Sequence, residues 1–130
     1  MIAWNDAADR LFGFAQTTQT DRNIMRMIFA NPDLRARLPD WNRDAPKLLA
    51  QFCGDLASAP DDPAMLDLVA ELKAVSPQFR RWIEERRMEG YLWGIGALLD
   101  AAGRRCGFAH EMLIVDQHRH LRMIAYFPED

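Results

Sequence analysis

The chain has 130 residues and a formal charge of −3, with 16 basic and 19 acidic side chains mixed along its length rather than blocked. Such a length fits a single domain, residues 1–130, which buries roughly two-thirds of its unfolded surface without covalent staples. The composition excludes a basic patch able to neutralise phosphates, hence a grip on DNA by this chain alone, and no apolar run approaches the roughly 20 residues that span a bilayer.

Taken in order, Met1 to Trp4 reads as a strand, and Asn5 as the cap of a short helix, DAADRLF, that Gly13 closes. FAQTTQT, residues 14–20, reads as a polar connector. A second helix follows, with Asp21 near its start and Ile24, Met25, Ile28 and Phe29 as an apolar stripe. Four later helix starts pair a capping side chain with a proline, whose missing N–H costs nothing in the first turn: Asn31-Pro32, Asp44-Ala45-Pro46, Asp62-Pro63 and Ser76-Pro77. Cys53 in a helical stretch and Cys106 in a turn make no CxxC and no zinc-spaced cluster, so neither a disulfide nor a metal is expected and the chain reads as cytoplasmic.

From Tyr91 to Phe127 the pattern changes to three strands, YLWGIGALL, GFAHEMLIV and HLRMIAYF, joined by short polar turns. Alternation sets Phe108, His110, Met112 and Ile114 against Ala109, Glu111, Leu113 and Val115, and Leu121, Met123, Ala125 and Phe127 against Arg122, Ile124 and Tyr126. Gly94 and Gly96, inside a strand, mark a bulge or a close approach by another backbone or a ligand. The expected fold class is α/β of the α+β kind: an antiparallel sheet of about four or five strands with several helices over one face. Both sheet faces are largely apolar, so a partner or another segment is expected over part of the second face, and a homodimer is the expected assembly.

The order of particular segments adds to this. IAWNDAADRLFG, DRNIMRMIFANPDLRARLPDW, DDPAMLDLVAELKAVSPQFRRWIEER and the terminal LRMIAYFPED together resemble the ligand-binding domain of MmyB-like transcription regulators over nearly the whole chain. The most specific pieces are Arg22-Asn23 followed by Phe29, Asp40-Trp41, and Ser76 through Trp82. The resemblance implies a PAS-like sensor domain, with a pocket between sheet and helices suited to a fatty acid or similar apolar or amphipathic molecule, joined to an N-terminal helix-turn-helix. That DNA reader is absent here, so Met1 is expected to mark an excised or truncated piece. Glu84-Glu85 and the turn Ala101 to Gly107 depart from the family pattern, which puts the identity of the ligand in question.

On this reading Phe29, Trp41, Trp82, Trp93 and Phe108 frame the cavity and Arg22, with Asn23, anchors a polar head, because a guanidinium fork matches two carboxylate oxygens. The alternatives are ordinary core packing for the rings and a structural pair for Arg22. His118 and His120 with Asp116 are too few and too exposed for a metal site, and Glu84, Glu85 and Glu89 interleave with arginines as a solvated helix face does. No nucleophile or cofactor motif is present, so no cofactor is expected and an enzyme is not. A ligand-free dimerisation or adaptor module is the competing reading, and a small enzyme using the cavity is the weaker one.

Overall fold

The computed structural model describes residues 3–85, 95–115 and 117–129. Helix α1 (Asp6–Phe12) begins where the Ala8 N–H donates to the Asn5 side chain at 2.9 Å. It ends at Gly13, whose φ of 70° is left-handed and is reached by glycine without a Cβ clash. Ala3 and Trp4, expected in a strand, carry no regular structure, and Met1 and Ile2 lie outside the described residues. The connector that follows is not merely polar: residues Phe14–Gln16 make a 3-10 turn that buries Phe14.

Five more helices follow: α2 (Ile24–Phe29), α3 (Pro32–Ala36), α4 (Trp41–Ser58), α5 (Pro63–Val75) and α6 (Pro77–Glu85). Asn23 rather than Asp21 caps α2, while Asp21 accepts a hydrogen bond from the Thr18 hydroxyl. Three of the four proline-led starts are as expected. Asn31 receives the Asp33 and Leu34 amides, Asp62 those of Ala64 and Met65, and the Ser76 hydroxyl oxygen that of Phe79. The fourth is corrected, because α4 begins at Trp41 and carries Pro46 inside it. Asp44 does not cap a helix there; its carboxylate turns towards the sheet.

The described sheet has three antiparallel strands in the order β1 (Ala97–Leu99), β2 (Arg105–Val115), β3 (His118–Pro128), an α+β fold with fewer strands than expected. Residues 91–94, which open the first expected strand and include Trp93, lie outside the described residues. The β1–β2 turn is held by Asp100, whose side chain accepts from the Ala102 and Arg104 amides, with Gly103 at a φ of 77°. In the β2–β3 register Phe108, His110 and Met112 face Pro128, Tyr126 and Ile124, and Ala109, Glu111 and Leu113 face Phe127, Ala125 and Met123. The first set lies on the helix side, where Phe108 is buried and Arg122 of the same parity pairs with Asp55 of α4 at 2.8 Å. The second is turned outward, with Leu113, Met123 and Phe127 about half exposed.

The outer edge of β1 is closed by one residue at the end of α3. The Leu99 N–H donates to the Arg37 carbonyl at 2.7 Å, and Arg37 Nε donates back to the Leu99 carbonyl at 3.2 Å. The same guanidinium reaches the Leu11 carbonyl of α1 at 2.5 Å.

Candidate functional site

The interior is assembled from helical stripes meeting end to side. In α2, Asn23 accepts the Met25 and Arg26 amides, which fixes the helical phase so that Met25, Ile28 and Phe29 point inward. In α4, the indole N–H of Trp41 donates to the Ile28 carbonyl at 2.9 Å, satisfying the polar handle of a buried ring. In α6, the Ser76 cap orients Phe79 and Trp82 onto the same region.

Phe29 meets Trp41, Phe79 and Trp82 edge-on, with ring centroids 5.7, 5.1 and 6.2 Å apart, and Trp41 stacks on Trp82 at 5.2 Å. Arg35 covers the far face of this group, its guanidinium 3.9 Å from the Trp41 ring centroid, a cation–π contact that the spacing of residues did not reveal.

A second aromatic group lies where α1 meets the sheet: Trp4, Phe12 and Phe14 in sequence, then Tyr126, Phe108 and His110 on the strands. Phe108 therefore sits apart from Phe29, Trp41 and Trp82 in ring contacts, although all four belong to one continuous core. Arg22 belongs with this second group. It lies 4.8 Å from the Trp4 ring, and its Nε and Nη2 donate to the carbonyls of Phe14 and Thr17 at 2.9 and 2.8 Å. Of the seven residues singled out in the sequence, Trp93 lies outside the described residues and the other six fall into two sets.

Two polar features adjoin these rings. A cleft of about 320 Å³ is lined by Gln16, Thr17, Thr18, Asp21, Arg26, Ala30, Asn31 and Pro32. Its Arg26 is fixed by Glu71 of α5, with Nε 3.0 Å from one carboxylate oxygen. The hydrogen bond from Arg26 holds the Glu71 carboxyl below its usual range. The other feature is buried. Asp44, 2% exposed, accepts the Gly96 N–H at 2.9 Å and Arg43 Nε at 3.2 Å. A Cβ on Gly96 would fall 2.5 Å from Arg43 Nη2, so what approaches this glycine is a side chain rather than the backbone or ligand expected.

Tyr126 lies next to Asp44, and burial pushes its phenol up to about 12. The folded state keeps the proton while an unfolded phenol, with a value near 10, releases it. Stability is therefore complete below about pH 10 and is lost as pH rises from there towards 12, by about 3 kcal/mol at most. Tyr126→Phe removes that alkaline slope, which chemical denaturation at a series of pH values measures; an unchanged slope would place the titration elsewhere.

Glu84 and Glu85 are exposed beside Lys73 and Arg81, each about 4.0 Å away, so they form the solvated face anticipated for them. Among the described residues no group of three or more His, Cys, Asp or Glu is placed to hold a metal, no helix is long and apolar enough to cross a membrane, and Cys53 and Cys106 form no disulfide.

A family model described as the MmyB-like transcription regulator ligand binding domain matches residues 1–130. The chain belongs to this family. No curated protein and no solved structure matches it. As an MmyB-like ligand-binding domain it is the ligand-binding part of a transcription regulator.

Proposed function

We propose that this domain is the sensor of a cytoplasmic transcription regulator, that it binds a fatty acid or another apolar or amphipathic small molecule in a PAS-like arrangement, and that occupancy controls an attached DNA-binding module. The observation that carries the reading is the cluster of Phe29, Phe79, Trp41 and Trp82 in a domain of this family, because rings and thioether neighbours such as Met25 suit a guest without charge. Phe29, Trp41 and Trp82, with Trp93 and Phe108, would contact the apolar part. Arg22 and Asn23 would act through the backbone they hold at the edge of the polar cleft, which suits a head group. Control follows if the ligand binds one conformation of the domain better than another. The working unit is a homodimer, and no catalytic step is proposed.

Native mass spectrometry of the purified domain, repeated after denaturation, tests this. The expected result is a stoichiometric mass that is lost on unfolding and identified in the solvent extract as an apolar acid or ester. Added back at about a hundred times its dissociation constant, the compound should stabilise the domain by about 3 kcal/mol, a rise of roughly 10 °C in Tm. A clean apo mass, with no thermal shift from a series of fatty acids, sinks the proposal.

A further inference from the structure

The polar cleft draws its walls from separate parts of the chain: Gln16, Thr17 and Asp21 from the connector, Arg26 from α2, and Asn31 from the cap of α3. Its volume of about 320 Å³ is at the lower end for small-molecule sites, room for a head group of several polar atoms. Two of its walls adjoin rings of the core. The Thr17 hydroxyl donates to the carbonyl of buried Phe14 at 2.8 Å, and Ala30 directly follows buried Phe29.

The charges in this cleft disfavour an acid. Among the described residues that line it Arg26 is the one cation, and its guanidinium is already engaged. Nε and Nη2 hold the two Glu71 oxygens at 3.0 and 2.5 Å, and Nη1 donates to the Thr20 carbonyl at 3.2 Å. The edge of the guanidinium that pairs with Glu71 is the one that recognises a carboxylate on two oxygens. Asp21 adds a negative charge close enough to act on the same guanidinium. A ligand carboxylate would therefore have to displace Glu71 and lie near Asp21 as well.

The uncharged groups are balanced between donors and acceptors. Asp21 takes the Thr18 hydroxyl on Oδ2 at 2.6 Å, which leaves Oδ1 to accept. Thr17 gives its hydroxyl proton to Phe14, so its oxygen also accepts. Asn31 receives two backbone amides on Oδ1, which leaves its NH2 group to donate, and the Gln16 amide offers both kinds. A carboxylate only accepts and matches half of this set. A hydroxyl donates and accepts, and matches all of it.

We propose that this cleft receives an uncharged head group bearing two or more hydroxyls, so that the ligand of the domain is a neutral acyl ester or glycoside rather than a free acid. The assignment rests on the small-molecule reading above and adds the chemistry of the head group. Glu71 excludes carboxylates by holding the forked edge of Arg26, and Asp21 accepts from a ligand hydroxyl.

Calorimetric titration below the micelle concentration, with dodecanoate, 1-dodecanoylglycerol and dodecyl glucoside at neutral pH, tests it. At least one hydroxylated probe should bind the wild-type domain roughly tenfold or more tightly than the acid, and the better of the two tells a glycerol from a sugar head group. Glu71→Gln, which leaves the Arg26 charge uncompensated, should strengthen binding of the acid by roughly tenfold and change the hydroxylated probes little. Asp21→Asn should narrow the gap from both sides. Both positions are exposed, so circular dichroism should be unchanged. A wild-type preference for the acid, or variants that shift all three probes equally, would overturn the head-group assignment and leave the small-molecule reading standing. Failure of every probe to bind would overturn the assignment too, while the sensor reading is decided separately by the mass measurement.

Discussion

Phe79→Ala should lower the stability of this domain by about 4 kcal/mol and its Tm by roughly 15 °C. The ring is fully buried at the start of α6 and lies edge-on to Phe29 at 5.1 Å, so truncation removes apolar contact on all sides and leaves a hole between helices α2, α4 and α6 that rigid neighbours cannot close. The cap beneath it survives, because the Ser76 hydroxyl oxygen receives the backbone N–H of residue 79 whatever its side chain. A loss under about 1 kcal/mol in chemical denaturation would mean that the helices collapse onto the hole. Phe79→Leu, which keeps most of the volume, should cost less than half as much.

Asp44→Ala should cost about 3 kcal/mol by a different route. The carboxylate is buried and receives the amide of Gly96, just before β1, so its removal leaves a part-buried backbone donor without its partner and breaks one of the ties between α4 and the sheet, the Asp55–Arg122 pair remaining. Arg43 loses one of its two carboxylates but keeps Asp40 at 3.0 Å, and it is half exposed, so the stranded donor dominates over the lost charge pair. Asp44→Asn retains an acceptor of the same shape and should recover more than half of the loss. Equal losses for the alanine and asparagine variants in denaturant titrations would shift the weight onto the ion pair with Arg43.

Those two positions mark where reading the residues in order succeeds and where it stops. A helix cap is settled within three residues, so Asn5, Asn31, Asp62 and Ser76 are legible from side-chain chemistry alone. Asp44-Ala45-Pro46 has the same local grammar, but the carboxylate is claimed by Gly96, 52 residues away, and nothing local announces that. The faces of β2 and β3 follow directly from alternation, since a period of two leaves only two choices. Apolar stripes say which side of a helix is buried and not which stripe it meets, so Phe29, Trp41 and Trp82 could be named together without showing that Phe108 packs with Tyr126 instead. Phe14 was hidden by its neighbours, since one ring among Thr and Gln reads as a loop until the turn folds it inward. The family came from the order of segments, which carries information that periodicity lacks.

The clasp made by Arg37 has a consequence for how the chain folds. Its guanidinium joins carbonyls that lie 26 residues before it and 62 residues after it, so α1, which closes on itself almost at once, cannot be fastened until the chain has travelled from α3 through α6 and into β1. A contact of such span must overcome a large loop-closure entropy before it contributes anything, which places it late in the order of events. Of the six described helices the first in the sequence is therefore among the last to be locked.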